Sequence, residues 1–234
     1  MPLTSIEPRR LYRQIAEQIR GLITSGEYAV GARLPPERDL ARQLRVSRPS
    51  VREALIALEV EGLVEVRVGS GIYVHAPVGP VAPAVMNGGP HAGPFELIRA
   101  RKAVEGECAA LAAKEGKRAQ VARIGEALEQ MEANAMRMDQ PLEADRLFHL
   151  CIAEATNNGA LVHITRTLWD ERGGPLFSQL QRHFDTPKSW VAAIREHSAV
   201  YDAIRNHDAD AARSAMHFHM AQAARRFSKN WEGR

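Results

Sequence analysis

The sequence predicts a mainly α-helical protein with two domains: an N-terminal winged helix-turn-helix and an all-α bundle of six or seven helices. Three observations predict it. Three short amphipathic stretches run into a glycine-centred hairpin pattern before residue 76. A Pro/Gly-rich segment follows, and beyond it apolar residues recur at three- and four-residue steps almost to the end. At 234 residues the chain is long enough for two domains that each bury a core.

The elements follow in order. Leu11, Ile15, Ile19, Leu22 and Ile23 line one face of a first helix that ends near Gly26. A second helix starts after "LPP", where Pro36 fits the first turn because no backbone donor is needed there, and it runs through Leu44. Arg45 and Val46 make a turn to Ser47, an N-cap residue, and the third helix reaches about Glu61 before Gly62 ends it. In "LVEVRVGSGIYV" β-branched residues alternate on both sides of Gly69-Ser70-Gly71, as in a hairpin with a tight turn. Residues 1–76 thus read as the winged domain. Half of the 18 positions from 77 to 94 are Pro or Gly, which excludes a packed helix or a central strand and predicts a linker. Residues 95–234 form the helical domain. Its clearest helices are "FELIRARKAVEGECAALAAKEG", "VARIGEALEQMEANAMRM", "LEADRLFHLCIAEATNN", "SWVAAIREHSAVYDAIRNHD" and "DAARSAMHFHMAQAARRFS", with Asp208 or Asp210 capping the last.

Composition narrows the class. A hydrophobic share of 45% with 25% charged residues is that of an ordinary folded chain rather than a disordered one. No window approaches 18 consecutive apolar residues and no export signal opens the chain, so a cytoplasmic protein without a membrane span is expected. Cys108 and Cys151 stand in Ala- and Leu-rich surroundings without C-x-x-C spacing, as reduced core thiols would. The net charge of +3 does not by itself imply nucleic acid, so the distribution of charge decides.

That distribution is uneven. Residues 33–52 hold six Arg against two acids, a local excess of +4. A solvated helix face mixes Lys, Glu and Arg more evenly, whereas a helix docked in the major groove wants small polar residues on its first turn and cations beside it. Ser47, Arg48, Pro49, Ser50 and Arg52 open the third helix in that manner.

"RLPPERDLARQLRVSRPSVREALIALEVEGLVEVRVGSGIYV" resembles, without a gap, the DNA-binding domain of the GntR family of bacterial transcriptional regulators. The resemblance implies that Arg38 of the second helix and Ser47, Arg48, Pro49, Ser50 and Arg52 of the third meet double-stranded DNA. Gly69 of the wing would approach the minor groove. Arg48 is expected to read a base edge, with Arg38 and Arg52 mainly on phosphate. Pro49 stands where Thr or Ala is more usual and removes a backbone donor.

Of nine histidines, eight lie beyond residue 75. Asp145 and His149 are four apart, one above the other on a helix face, where a carboxylate and an imidazole can share a metal. His197 stands on a later helix. His219 is in register with Ala215, Ala223 and Phe227 on an inward face, and His217 leans elsewhere. Spacing alone leaves metal ligation and ordinary core or cap roles both open.

The helical region resembles the FCD ligand-binding domain of the FadR-type branch, over most of residues 95–225. That resemblance implies a divalent metal, zinc first and nickel or manganese next, held by Asp145, His149, His197 and His219. It also implies a small carboxylic acid as effector, met by Arg101; the plainer alternative for Arg101 is a surface ion pair with Glu105. "PFELIRARKAVEGECAALAA" and "LWDERGGPLFSQLQRHF" are most similar to uronate- and aldonate-responsive regulators, with lactate, pyruvate or dicarboxylate as the alternative effectors. His163, His183 and Arg166 are further candidates for the pocket wall. The expected function is a homodimeric, metabolite-responsive repressor of a catabolic operon that binds a palindromic operator. The competing class is a metal-dependent enzyme, which would need a general base that the sequence does not display; a purely structural metal is a third reading.

Overall fold

A computed structural model of the chain describes residues 10–75, 92–137 and 139–228. These separate into two compact units, one ending at Gly93 and the other spanning Pro94–Ser228. The linker expected over residues 77–94 falls, up to residue 91, outside the described residues, and Pro94 already opens a helix. No helix among the described residues is long and apolar enough to cross a membrane.

The first unit has α1 (Leu11–Thr24), α2 (Glu37–Leu44) and α3 (Arg48–Val60), then β1 (Val64–Arg67) and β2 (Gly71–Val74). Tyr12, Ile15, Ala16 and Ile19 of α1 pack on α3, whose segment from Val51 to Leu58 is buried throughout. Between α2 and α3 the chain turns on Arg45, which takes the left-handed conformation at φ 55°. Ser47 then caps α3, its Oγ accepting from Ser50 N at 3.3 Å. β1 and β2 pair antiparallel with Val66 opposite Ile72, and Gly69 at φ 82° makes the wing turn. The segment before α2 joins this sheet through Leu34 N to Ile72 O (2.8 Å) and Val74 N to Ala32 O (2.9 Å). Sequence reading did not anticipate this strand-like edge, because "GARLPP" is too short and too rich in Gly and Pro to alternate.

One expectation is corrected here. Arg52, expected among the phosphate contacts, is 1% exposed. One turn after Arg48 it faces α2, where Glu37, also buried, accepts Arg52 Nε at 2.8 Å on Oε2 and Arg48 Nε at 2.8 Å on Oε1. Glu37 thus ties α2 to α3 through two guanidiniums. A second acid with a buried side chain, Glu61, accepts from one nitrogen of α1, Arg20 Nη2, on both oxygens at 2.9 and 2.7 Å.

The second unit consists of seven α-helices: α4 (Pro94–Glu115), α5 (Arg118–Met136), α6 (Leu142–Ala155), α7 (Gly159–Asp170), α8 (Pro175–Phe184), α9 (Pro187–Arg205) and α10 (Ala209–Phe227). A turn of 3-10 helix, Glu171–Gly173, links α7 to α8. Starts are set by side chains that satisfy first-turn N–H groups: Asn158 for α7, a Thr186–Ser189 capping box for α9, and Asp208 rather than Asp210 for α10. Small residues let helices approach closely. Ala109, Ala112 and Ala113 of α4 are fully buried, and a Cβ on Gly106 would stand 2.2 Å from His217 Nε2 of α10. His217 is thereby directed away from the inward face that carries His219. Phe148, Ile152, Ile124, Met131, Val200 and Met216 fill the centre, with Cys108 and Cys151 buried as free thiols among them.

Removing Glu37 leaves a buried guanidinium without its counter-charge. Glu37→Ala is therefore expected to destabilise the winged unit by about 3–5 kcal/mol, read by urea unfolding, and adding Arg52→Met to recover much of that loss.

Candidate functional site

The residues expected to meet DNA all lie in the winged unit. The structure brings Ser47, Arg48, Pro49 and Ser50 together at the tip of α3, with Arg38 on α2 and Gly69 at the wing turn. Arg38 is 74% exposed and Arg48 44%, so both guanidiniums reach solvent. Arg48 is aimed rather than loose, because Glu37 grips its Nε. Ser47 and Ser50 hold each other, Oγ to Oγ at 2.8 Å, and Pro49 offers no N–H. The tip therefore presents side chains more than bare amides. Arg52, as described above, supports this surface from inside.

In the second unit four residues converge. One ligand atom each from Asp145, His149, His197 and His219 lie within 4.8 Å of one another, and all four side chains are buried. α6 supplies Asp145 and His149 one turn apart, α9 supplies His197, and α10 supplies His219. The outer ring nitrogens have neighbours of their own. His149 Nδ1 lies 2.5 Å from Glu105 Oε2, His197 Nδ1 bonds Ala193 O at 2.7 Å, and His219 Nδ1 bonds Glu196 Oε2 at 2.9 Å. A proton on Nδ1 leaves Nε2 as the metal-ligating lone pair. His149 Nε2 and His197 Nε2 stand 3.2 Å apart, with Asp145 Oδ1 at 3.4 and 3.0 Å from them. So close an array of donors fits a cation, and without one a protonated His149 can donate within it. The donor set, three imidazoles and one carboxylate, fits a divalent transition metal and leaves positions for another ligand.

The electrostatics divide the cluster, favouring neutral rings at His197 and His219 and a charged one at His149. Burial pushes His219 well below the usual imidazole range, with His197 and His149 adding to it. Burial also lowers His197, against the pull of Asp145. His149 goes the other way: burial opposes its charge, but Glu105 and Asp145 outweigh that and raise it. Asp145 is held well below its ordinary range despite burial, by bonds from His149 and His197 and by the charge of Arg172. Glu105, equally buried, is drawn down to about 2 by Arg101 and His149.

The cluster opens into a cavity that Arg101, Arg172 and Arg226 also line. Each arginine is joined through a carboxylate to a member of the cluster. Arg101 Nε donates to Glu105 at 2.7 Å, and Glu105 faces His149. Arg172 Nη1 donates to Asp145 Oδ2 at 3.0 Å, and Arg226 Nη1 to Glu196 Oε1 at 2.7 Å. The guanidiniums of Arg101 and Arg172 both lie over the Trp169 ring, 4.0 and 4.3 Å from its centre. Arg101 therefore has both features weighed from sequence: it pairs with Glu105, but in the interior, and it lines the cavity. His163 and Arg166 are exposed on α7 and do not line it, and His183 is absent from its wall too.

Glu196, Arg172, Arg226 and Trp169 escaped sequence reading, and Glu105 was read only as a surface partner of Arg101. A signal existed for Glu105, which shares with Arg101 a face of α4 that is otherwise Ile98, Cys108 and Ala112, all buried. Arg172 gave none, since it sits in "DERGGP", where no periodicity survives.

Because Glu196 fixes the ring of His219 and strengthens its lone pair, Glu196→Gln is expected to weaken zinc binding by about 10–100-fold, measured by competition with a chromophoric chelator.

Comparison with known proteins identifies the family of both domains. Residues 11–74 match the family described as bacterial regulatory proteins, gntR family, and residues 96–222 match the FCD domain. The Uxu operon transcriptional regulator of Escherichia coli K12 is 39% identical over 231 residues, covering 93% of this chain and 87% of its own. The Exu regulon transcriptional regulator of the same strain is 38% identical over 219 residues, covering 92% and 83%. Among solved structures, E. coli McbR/YncC matches 94% of this chain and 97% of its own with TM-score 0.51 at 23% identity, a likeness of fold. Proteins of this kind are DNA-binding regulators of transcription and not enzymes. The chain belongs to the GntR family of bacterial regulators, with an FCD domain as its second domain.

Proposed function

We propose that the protein is a cytoplasmic, homodimeric repressor of a catabolic operon, released from a palindromic operator by a sugar acid bound at the Asp145–His149–His197–His219 centre. The observation that carries this reading is the buried cluster of three imidazoles and a carboxylate, of which Asp145, His197 and His219 line a cavity shared with three arginines. A divalent ion held there, zinc by preference and nickel or manganese as alternatives, supplies a coordination position for the acid's carboxylate. The chain's own residues do the rest. Arg101 and Arg172, stacked on Trp169, attract the anion and orient it, and burial excludes competing water. The stretches that resemble uronate- and aldonate-responsive regulators, and relatives named for the Uxu operon and the Exu regulon, support a sugar acid over lactate or a dicarboxylate.

On the DNA side, two protomers would place two α3 tips on successive half-sites, which is why a palindrome is expected. Arg48 reads a base edge and Arg38 clamps phosphate, while Gly69 allows the wing's backbone to approach the minor groove. The acid shifts the population away from the operator only by as much as it prefers the form that does not bind DNA.

Fluorescence anisotropy with a labelled palindromic duplex tests this reading. A saturating uronate should lower operator affinity at least about tenfold, and chelation should abolish the response; an operator affinity that ignores the acid sinks the proposal. In the same assay Arg48→Ala is expected to cost about 1–3 kcal/mol at the preferred site and to relax base preference there, whereas equal weakening on every sequence would make Arg48 a phosphate clamp.

A further inference from the structure

The metal-facing floor and the three arginines leave one wall of the cavity unexplained, the one built where α8 passes into α9. Asp185, Ser189 and Trp190 line it. Ser189 is already engaged, because its hydroxyl serves the capping box of α9 and donates to Thr186 O at 2.8 Å. The other two are not. Trp190 is 8% exposed, and its indole Nε1 is buried with no acceptor among the described residues. Asp185 forms no ion pair among the described residues, and its carboxylate takes a single long bond, 3.3 Å, from Gln181 Nε2. The charges of Arg172 and Arg226 reach Asp185, but these arginines form their ion pairs with Asp145 and Glu196.

An indole donor without an acceptor and a carboxylate with one long bond thus belong to residues that border one cavity. The cost of leaving them so decides what the cavity prefers. An acid with only methylene groups would bury both unsatisfied and bring a second negative charge toward Asp185. A hydroxyl group can donate to the carboxylate and accept from the indole. We propose that Asp185 and Trp190 form a hydroxyl-reading subsite that selects polyhydroxylated carboxylates over acids of equal length without hydroxyls. The inference rests on the reading of this cavity as an acid-binding site and names the residues that choose among acids.

Calorimetric titration of the full-length, zinc-loaded protein with D-glucuronate, D-gluconate and hexanoate tests it. The wild-type protein is expected to bind the two hydroxy acids at least about tenfold more tightly than hexanoate. Trp190→Phe, which keeps the ring and loses the N–H, and Asp185→Ala should each weaken the hydroxy acids about 10–100-fold while hexanoate binds no more weakly than before. Asp185→Asn, which keeps an acceptor of the same shape, should fall between Asp185→Ala and wild type. Equal affinity of the wild type for gluconate and hexanoate would overturn the subsite, and so would variants that lose all three acids in parallel. That wild-type comparison stands even if a variant fails to fold. If the zinc-loaded wild type binds none of the three, the acid-binding reading itself fails, and the subsite with it.

Discussion

Three imidazoles and one carboxylate packed within one buried cluster are the constraint around which the second unit is organised. So many titratable groups share the space only with a cation or a shared proton among them. The surrounding residues keep the cluster in place. Ala193 O and Glu196 hold the outer nitrogens of His197 and His219, and Glu105 lies against that of His149. The carboxylates in turn are held by Arg101 and Arg226, while Arg172 holds Asp145 directly. Because these arginines line the cavity, an anion that engaged them would also bear on the groups that set ligand basicity. Affinity for a metal and for an anion would thereby be coupled through single carboxylates, and linkage would make the coupling reciprocal.

The winged unit uses the same physical device for another purpose. Glu37 is a buried acid that holds two arginines, one fully interior and one half-exposed at the helix tip. Arg52 locks α2 against α3, and Arg48 is aimed outward from the same anchor. A long, flexible cation held at its Nε loses less freedom when it meets a base edge, which favours specific recognition over loose attraction to phosphate. The local excess of arginine over acid seen in the sequence is therefore divided between a structural pair and a surface, and only burial distinguishes the two.

Much of the architecture is legible in the residues because it depends on local rules. Periodicity located α1, α3, α4, α5, α6, α9 and α10, with ends within about three residues, and Ser47 and Asp208 marked the starts of α3 and α10. The two helices not placed individually, α7 and α8, show why the method has a reach. α7 buries only Thr165 and Trp169 and leaves Ile164 exposed, so its burial does not follow its apolar residues. The strand-like segment at 32–34 pairs through isolated bonds, which composition cannot register.

For the site the division is sharper. Sequence by itself determined the two-domain organisation, the family resemblance, and the candidate set Asp145, His149, His197 and His219, since helical register and motif matching require only positions along the chain. Only the tertiary structure decided that these four converge, that Glu105 and Glu196 lie against the outer nitrogens of His149 and His219, that Arg172 reaches Asp145 across 27 residues, and that Arg52 lies inside. The reason is physical. Charge, proton position and ligand geometry depend on which groups share a desolvated volume, and that volume is assembled from helices distant in sequence. Periodicity along one helix shows which face is buried, but not which charge lies opposite it.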